Sequence, residues 1–209
     1  MGKCSAADCS TRAEKGYILK TVIINGSPRK NGDTVALINK FQELLHGETI
    51  IINTYSAAVQ PCIDCRFCWT NNVCALQDEM ANIIEMVDAA DNIVIASPRY
   101  FSELTGSLLQ FTSRLQYLWV SKNIRHESVL TDKKRNGVVI LTGGGDGSPD
   151  RAILTAKCLL NHMGATYFDH VCSHNTNVTP AKDDTEAICK IRTITERIND
   201  YGLRNANLN

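Results

Sequence analysis

Lys20-Thr21-Val22-Ile23-Ile24-Asn25-Gly26-Ser27-Pro28-Arg29-Lys30-Asn31-Gly32-Asp33-Thr34 decides the fold. A short β-branched run stops at Gly26, so residues 20–25 read as a strand. Beyond it, Val35, Leu37, Ile38, Phe41, Leu44 and Leu45 recur at the spacing of one helix face, and Gly47 ends that helix. The stretch is therefore a strand, a small-residue loop and a helix N-terminus.

The same alternation continues along the chain. Glu48–Tyr55 reads as strand two, around Ile50-Ile51-Ile52. A helix opens at Gln77-Asp78-Glu79-Met80, with Asp78 as N-cap and Ile83, Ile84 and Val87 as its buried stripe. Asn92–Ser97 is strand three, Leu104–Trp119 a helix, and Gly137–Thr142 strand four. Pro149–Met163 is a helix that Gly164 breaks, Ala165–Val171 is strand five, and Asp184–Tyr201 is the last helix. Strands alternating with helices predict an α/β fold with a parallel sheet covered on both faces. The central strands lack period-two alternation, as strands buried on both faces do. Residues 1–19 are small and polar and read as an N-terminal arm; residues 20–209 read as the folded domain.

Composition narrows the function. The 209 residues are 44% hydrophobic with a formal net charge of +0, so no field invites nucleic acid or an anionic membrane. No apolar run approaches a bilayer span, and Met1–Lys20 has no apolar core of a secretory signal, so a cytoplasmic protein is expected. Nine cysteines are many. Without a secretion signal, they argue for metal or redox chemistry over a disulfide framework.

In doubly wound sheets, ligands bind beyond the carboxyl ends of the strands. Three loops lie there. Ser27, Arg29, Asn31, Gly32, Asp33 and Thr34 offer hydroxyls, charge and a helix N-terminus, a cradle for a phosphate. An ordinary βα turn accounts for the same residues. The loop is neither a P-loop nor the Gly-x-Gly-x-x-Gly dinucleotide fingerprint. Pro98, Arg99, Tyr100, Phe101 and Ser102 follow strand three, with an aromatic pair able to flank a flat ring. Thr142, Gly143, Gly144 and Gly145 follow strand four, where the glycines suggest close approach to a backbone. No side chain stands out as a catalytic acid or base. Of His46, His126, His162, His170 and His174, only His174 falls near the expected pocket.

Cys62, Cys65, Cys68 and Cys74 are spaced C-x2-C-x2-C-x5-C. Iron–sulfur clusters take four thiolates from compact runs of this kind. A Cys4 zinc site is an alternative, although structural zinc more often uses two separated pairs. So is a metal-free loop covering a ligand, packed by Phe67 and Trp69.

These pieces together resemble the NAD(P)H-dependent FMN reductase family of flavodoxin-like proteins and, more narrowly, the iron–sulfur flavoproteins. The resemblance rests on Gly-Ser-Pro-Arg-x-x-Gly-x-Thr at 26–34, the cysteine segment, Asp78-Glu79-Met80, Ser-Pro-x-Tyr-Phe at 97–101, Gly106, Arg114 and the glycine loop at 143. It implies a three-layer flavodoxin-like sandwich with a five-stranded parallel sheet in the order 2-1-3-4-5. It further implies FMN, its phosphate in the first loop and its ring near Tyr100 and Gly143. NAD(P)H is the implied electron donor, a quinone, flavin or protein the acceptor, and a homodimer or homotetramer the implied assembly. A [4Fe–4S] cluster on the four cysteines is implied as an electron relay. The chain departs from the family at Asp33, where Asn is common, at Arg99, where an apolar residue is common, and at Gln110 and Ser113, where Lys and Asp are favoured. A non-enzymatic flavodoxin-like electron carrier and a flavin-free scaffold are the competing readings.

Overall fold

The computed structural model describes residues 18–206, and side chains through Gly202. The arm expected at residues 1–19 lies almost entirely outside the described residues. Five strands form one parallel sheet, β1 (Lys20–Asn25), β2 (Glu48–Asn53), β3 (Asn92–Pro98), β4 (Arg135–Thr142) and β5 (Ala165–Ser173), in the order β2-β1-β3-β4-β5. The helices are α1 (Asp33–Leu44), α2 (Met80–Ala89), α3 (Gly106–Thr112), α4 (Gln116–Asn123), α5 (Asp150–His162) and α6 (Thr185–Ala206). The fold is the flavodoxin-like sandwich that the alternation and the resemblance predict.

Alternation returns once the two faces are separated. Val22 and Ile24 of β1, with Ile93 and Ile95 of β3, pack into one core with α2, α3, α4 and α5. Ile23 and Val94 point the other way, into a core with α1 and α6. Every residue here is apolar because both faces are covered. β2 is an edge strand, and Ile50 and Ile51 stay exposed on it. At the other edge, the β4–β5 register shifts between Gly137 and Val138. The resulting bulge interrupts the regular edge of β5.

The helix expected over Leu104–Trp119 is two helices joined by a 3₁₀ turn at Ser113–Leu115. Thr112 Oγ1 donates to the Leu108 carbonyl at 2.8 Å, and Ser113 Oγ donates to the Gln110 carbonyl at 2.6 Å. Hydroxyls bonding back onto the preceding turn compete with the helix ladder and bend it. The break matters for position, because it carries Arg114 into the interior. Asp78 also sits one residue earlier than an N-cap would. Glu79 is the N-cap of α2, while the Asp78 carboxylate accepts the Met80 N–H at 3.1 Å.

Strand order reverses between β1 and β3. The loops leaving their carboxyl ends therefore diverge and open a crevice.

Candidate functional site

The crevice is a cleft of about 170 Å³, lined by Ser27, Arg29, Gly32, Asp33, Thr34, Pro98, Arg99, Tyr100, Thr142, Gly143 and Gly144. Loops separated by more than a hundred residues thus form one site.

The first loop is set from below. Asn25 Oδ1 accepts the Ser27 N–H at 2.9 Å, and Asn25 Nδ2 donates to Asn53 Oδ1 at 2.7 Å. Thr105 Oγ1 donates to the Gly26 carbonyl at 2.8 Å. A Cβ at Gly26 would stand 2.9 Å from Thr105 Oγ1 and 3.0 Å from Leu108 Cβ, so only glycine lets this turn approach α3. No side chain caps α1 at Gly32. Its first N–H groups have no intrahelical acceptor and carry the positive end of the helix dipole. The Asp33 carboxylate does not oppose an anion there. It is turned away, accepting the Ala181 N–H at 2.9 Å. Ser27 and Thr34 are buried beside this terminus, and Arg29 is exposed at its rim.

The second loop follows β3. Arg99 N–H donates to the Thr142 carbonyl at 2.7 Å, which holds the loop against β4. Tyr100 and Glu103 exchange two backbone hydrogen bonds, of 2.9 and 3.0 Å. Phe101 and Ser102 form the tip of this turn at φ of 54° and 63°, a left-handed backbone unusual for both. Phe101 is 100% exposed.

The glycine loop after β4 is approached closely, as its composition suggests, but by the protein's own side chains. A Cβ at Gly143 would overlap the Arg99 guanidinium, and one at Gly144 would stand 2.6 Å from Asn177 Nδ2. The loop is stapled to the segment after β5. Gly143 N–H donates to the Ser173 carbonyl at 2.9 Å, and Thr176 N–H to the Gly143 carbonyl at 3.0 Å. Thr176 and Asn177 of that segment line the cleft. Sequence reasoning missed both. Their only signal is a polar stretch, Ser173–Thr179, at the carboxyl end of a strand. Of the residues singled out from sequence, Asn31, Phe101, Ser102 and Gly145 do not line the cleft. His174 reaches its edge, with Nδ1 at 3.1 Å from an Arg99 terminal nitrogen.

The cysteine segment lies elsewhere. None of its residues lines the cleft among the described residues. Asp64 and Arg66, at φ of 49° and 58°, turn the chain between the cysteines. As a result, Cys62, Cys65, Cys68 and Cys74 all face one small cavity of about 20 Å³, with Arg114 and Tyr117 as its floor. All four are free thiols. Burial pushes the Cys68 thiol above its ordinary range, and the nearby Cys74, Cys62 and Cys65 add to this. Among the described residues, no three His, Cys, Asp or Glu side chains come close enough to hold a single metal ion. Phe67 and Trp69 are both partly exposed, and of the two only Trp69 lines this cavity.

Arg114 holds this segment to the body of the protein. Its side chain is 2% exposed. It donates to Asp78 Oδ2 at 2.5 Å, to the carbonyls of Gln60 and Leu76 at 3.0 and 3.2 Å, and to Cys74 Sγ at 3.3 Å. Burial works to raise the Asp78 carboxyl, but the bonds from Arg114 and from the Gln60 and Met80 N–H groups outweigh it and hold it below the usual range.

Comparison with known proteins agrees with this architecture. The pattern of the family described as NADPH-dependent FMN reductase matches residues 19–177. An iron-sulfur flavoprotein of Methanocaldococcus jannaschii is 29% identical over 125 residues, 57% of this chain and 65% of that protein, which is less than two thirds of its length. An iron-sulfur flavoprotein of Methanosarcina thermophila is 24% identical over 187 residues, 87% of this chain and 94% of that protein. The structure of an FMN-dependent NADH-azoreductase from Bacillus anthracis in complex with FMN superposes with a TM-score of 0.59. It is 22% identical and covers 86% of this chain and 99% of that one. The extent of the family match, on this fold, settles the assignment: the chain belongs to the NADPH-dependent FMN reductase family of oxidoreductases.

Proposed function

We propose that the protein is an FMN-dependent oxidoreductase that draws electrons from NAD(P)H and passes them to a quinone, flavin or protein acceptor. The observation that carries this is the three-loop cleft, whose phosphate end is an uncapped helix N-terminus flanked by the Ser27 and Thr34 hydroxyls. The donor set fits FMN. A terminal phosphate suits the α1 N-terminus, and Arg99, whose buried Nε–H has no acceptor among the described residues, lines the same cleft.

In this reading, Ser27, Thr34 and the first N–H groups of α1 hold the phosphate, and Arg29 adds charge at the rim. The backbone of Gly32 permits close approach, and Asp33 stays turned toward Ala181. Pro98, Arg99 and Tyr100 border the ring together with Thr142, Gly143 and Gly144, the Arg99 guanidinium lying against Gly143. Bound FMN supplies hydride acceptance and electron release, while the protein supplies position and electrostatics. No protein side chain is assigned as acid or base.

The four cysteines are read as ligands of a [4Fe–4S] cluster relaying electrons to or from the flavin. Two relatives named iron-sulfur flavoproteins support this, as do four free thiols around one cavity. Free cysteines suit a reducing cytoplasm. Among the described residues, no helix is long and apolar enough to cross a membrane. Exposed aromatics at Tyr100 and Phe101, beside the cleft, support a homo-oligomer with the flavin near its interface.

Flavin released by heat and run against standards tests the cofactor, and NADH and NADPH oxidation by FMN-loaded protein tests the activity. FAD as the main flavin, or no oxidation of either nucleotide with any quinone, sinks the corresponding part. In the latter case an electron carrier remains.

A further inference from the structure

Arg99 is unlike every other polar side chain of the cleft. Its guanidinium is folded into the glycine loop, with one terminal nitrogen donating to the Gly147 carbonyl and the other 3.1 Å from His174 Nδ1 and 3.5 Å from the Gly145 oxygen. A guanidinium has five N–H donors and no acceptor. Here both terminal nitrogens are engaged and Nε is not. Among the described residues, the Arg99 Nε–H is the one buried side-chain donor without a partner. An unmet charged donor sealed from water costs more than an unmet neutral one. The absence of a side chain at Gly143 leaves room for the Arg99 guanidinium over that residue, on the wall of the cleft.

Resting on the FMN reading, we infer that Arg99 is an electrostatic tuning residue, whose charge on the wall of the cleft borders the isoalloxazine and favours reduced flavin. Hydride adds two electrons and one proton, so the ring gains a negative charge that spreads over N1 and the adjoining carbonyl. A fixed cation held in a site of low dielectric stabilises that charge and has no such effect on the neutral oxidised ring. The glycine-loop carbonyls and His174 keep the guanidinium from turning away to solvent.

The test uses full-length protein loaded with FMN, as wild type, Arg99→Met and Arg99→Lys. The two-electron midpoint potential is measured by equilibration with a reference dye, and dissociation constants for FMN and riboflavin by flavin fluorescence. Arg99→Met should bind reduced relative to oxidised FMN at least ten-fold less well than wild type, a fall of about 30 mV for a two-electron couple. Arg99→Lys should recover part of it. The ratio of FMN to riboflavin affinity should not move. A role confined to shaping the glycine loop would weaken both redox states equally and leave the midpoint in place, which overturns the inference. A lost preference for FMN over riboflavin would assign Arg99 to the phosphate and overturn it too. Wild-type protein that takes up no FMN removes the flavin reading itself. Wild type that binds FMN, with an unmoved Arg99→Met potential, removes only the inference.

Discussion

The hydroxyls of Thr34 and Thr142 lie 2.7 Å apart, joining the first turn of α1 to the end of β4 across 108 residues of sequence. Both are buried. One of the pair donates to the other, so the second hydroxyl retains a hydrogen to give to a ligand. The contact therefore ties two walls of the cleft together, at the end proposed for the phosphate, while leaving one donor free.

Thr34→Ala should weaken FMN binding by roughly ten-fold or more, since a hydrogen bond to a charged group is worth about 1.5–3 kcal/mol. Fluorescence titration of the apoprotein checks this. Riboflavin, which lacks the phosphate, should bind both proteins equally. An unchanged FMN dissociation constant would take Thr34 out of the site.

Gly26→Ala should destabilise the protein by about 1–3 kcal/mol, the usual range for overpacking. The new methyl would meet both Thr105 and Leu108, which are themselves buried. Urea unfolding followed by circular dichroism measures it. A midpoint equal to wild type would show that α3 can retreat.

Much of this was legible in the sequence because it is local. β1, the α1 stripe and the break at Gly164 each follow from residues a few positions apart. The strand order followed from the resemblance, and the cleft from the rule that ligands gather at strand carboxyl ends. What was not legible is non-local. Arg99 meets His174 across 75 residues, and Thr176 and Asn177 enter through contacts with Gly143 and Gly144. The glycines imply close approach to their backbone, but not that at Gly143 and Gly144 it is Arg99 and Asn177 that approach. The bend between α3 and α4 was missed because Thr112 and Ser113 read as helix-compatible until their back-bonds are seen.

Asp78→Asn should cost about 3 kcal/mol at neutral pH, because it leaves the buried Arg114 charge without its counter-ion. It should also change the acid response. The Asp78 carboxyl is held below its ordinary value in the folded protein. Its contribution is therefore fully present above the unfolded value, about pH 4, and is lost as pH falls through the folded one. Urea midpoints measured from pH 7 down to pH 3 should fall more steeply for wild type than for Asp78→Asn. Parallel curves would mean that Asp78 contributes nothing to acid stability.

The four thiols permit the sharpest test. If Cys62, Cys65, Cys68 and Cys74 hold a cluster, each ligates a different iron, and anaerobically prepared protein should contain iron and acid-labile sulfide in equal amounts. Replacing any one of the four with Ala should then lose most of the iron. FMN should stay bound in every variant, because no residue of the segment lines the cleft proposed for the flavin among the described residues. Cys158 and Cys189 are exposed on α5 and α6, outside that cavity, and supply the controls: Ala at either should leave iron unchanged. Arg114→Lys adds a finer reading. It keeps the charge near Asp78 but not the planar fork that spans Asp78, two carbonyls and Cys74 Sγ, so the cluster should form yet be lost faster in air. Iron near zero in wild type with full FMN occupancy would leave a cluster-free flavin reductase, in which protein contacts such as those of Ser113, Arg114 and Arg125 order the segment.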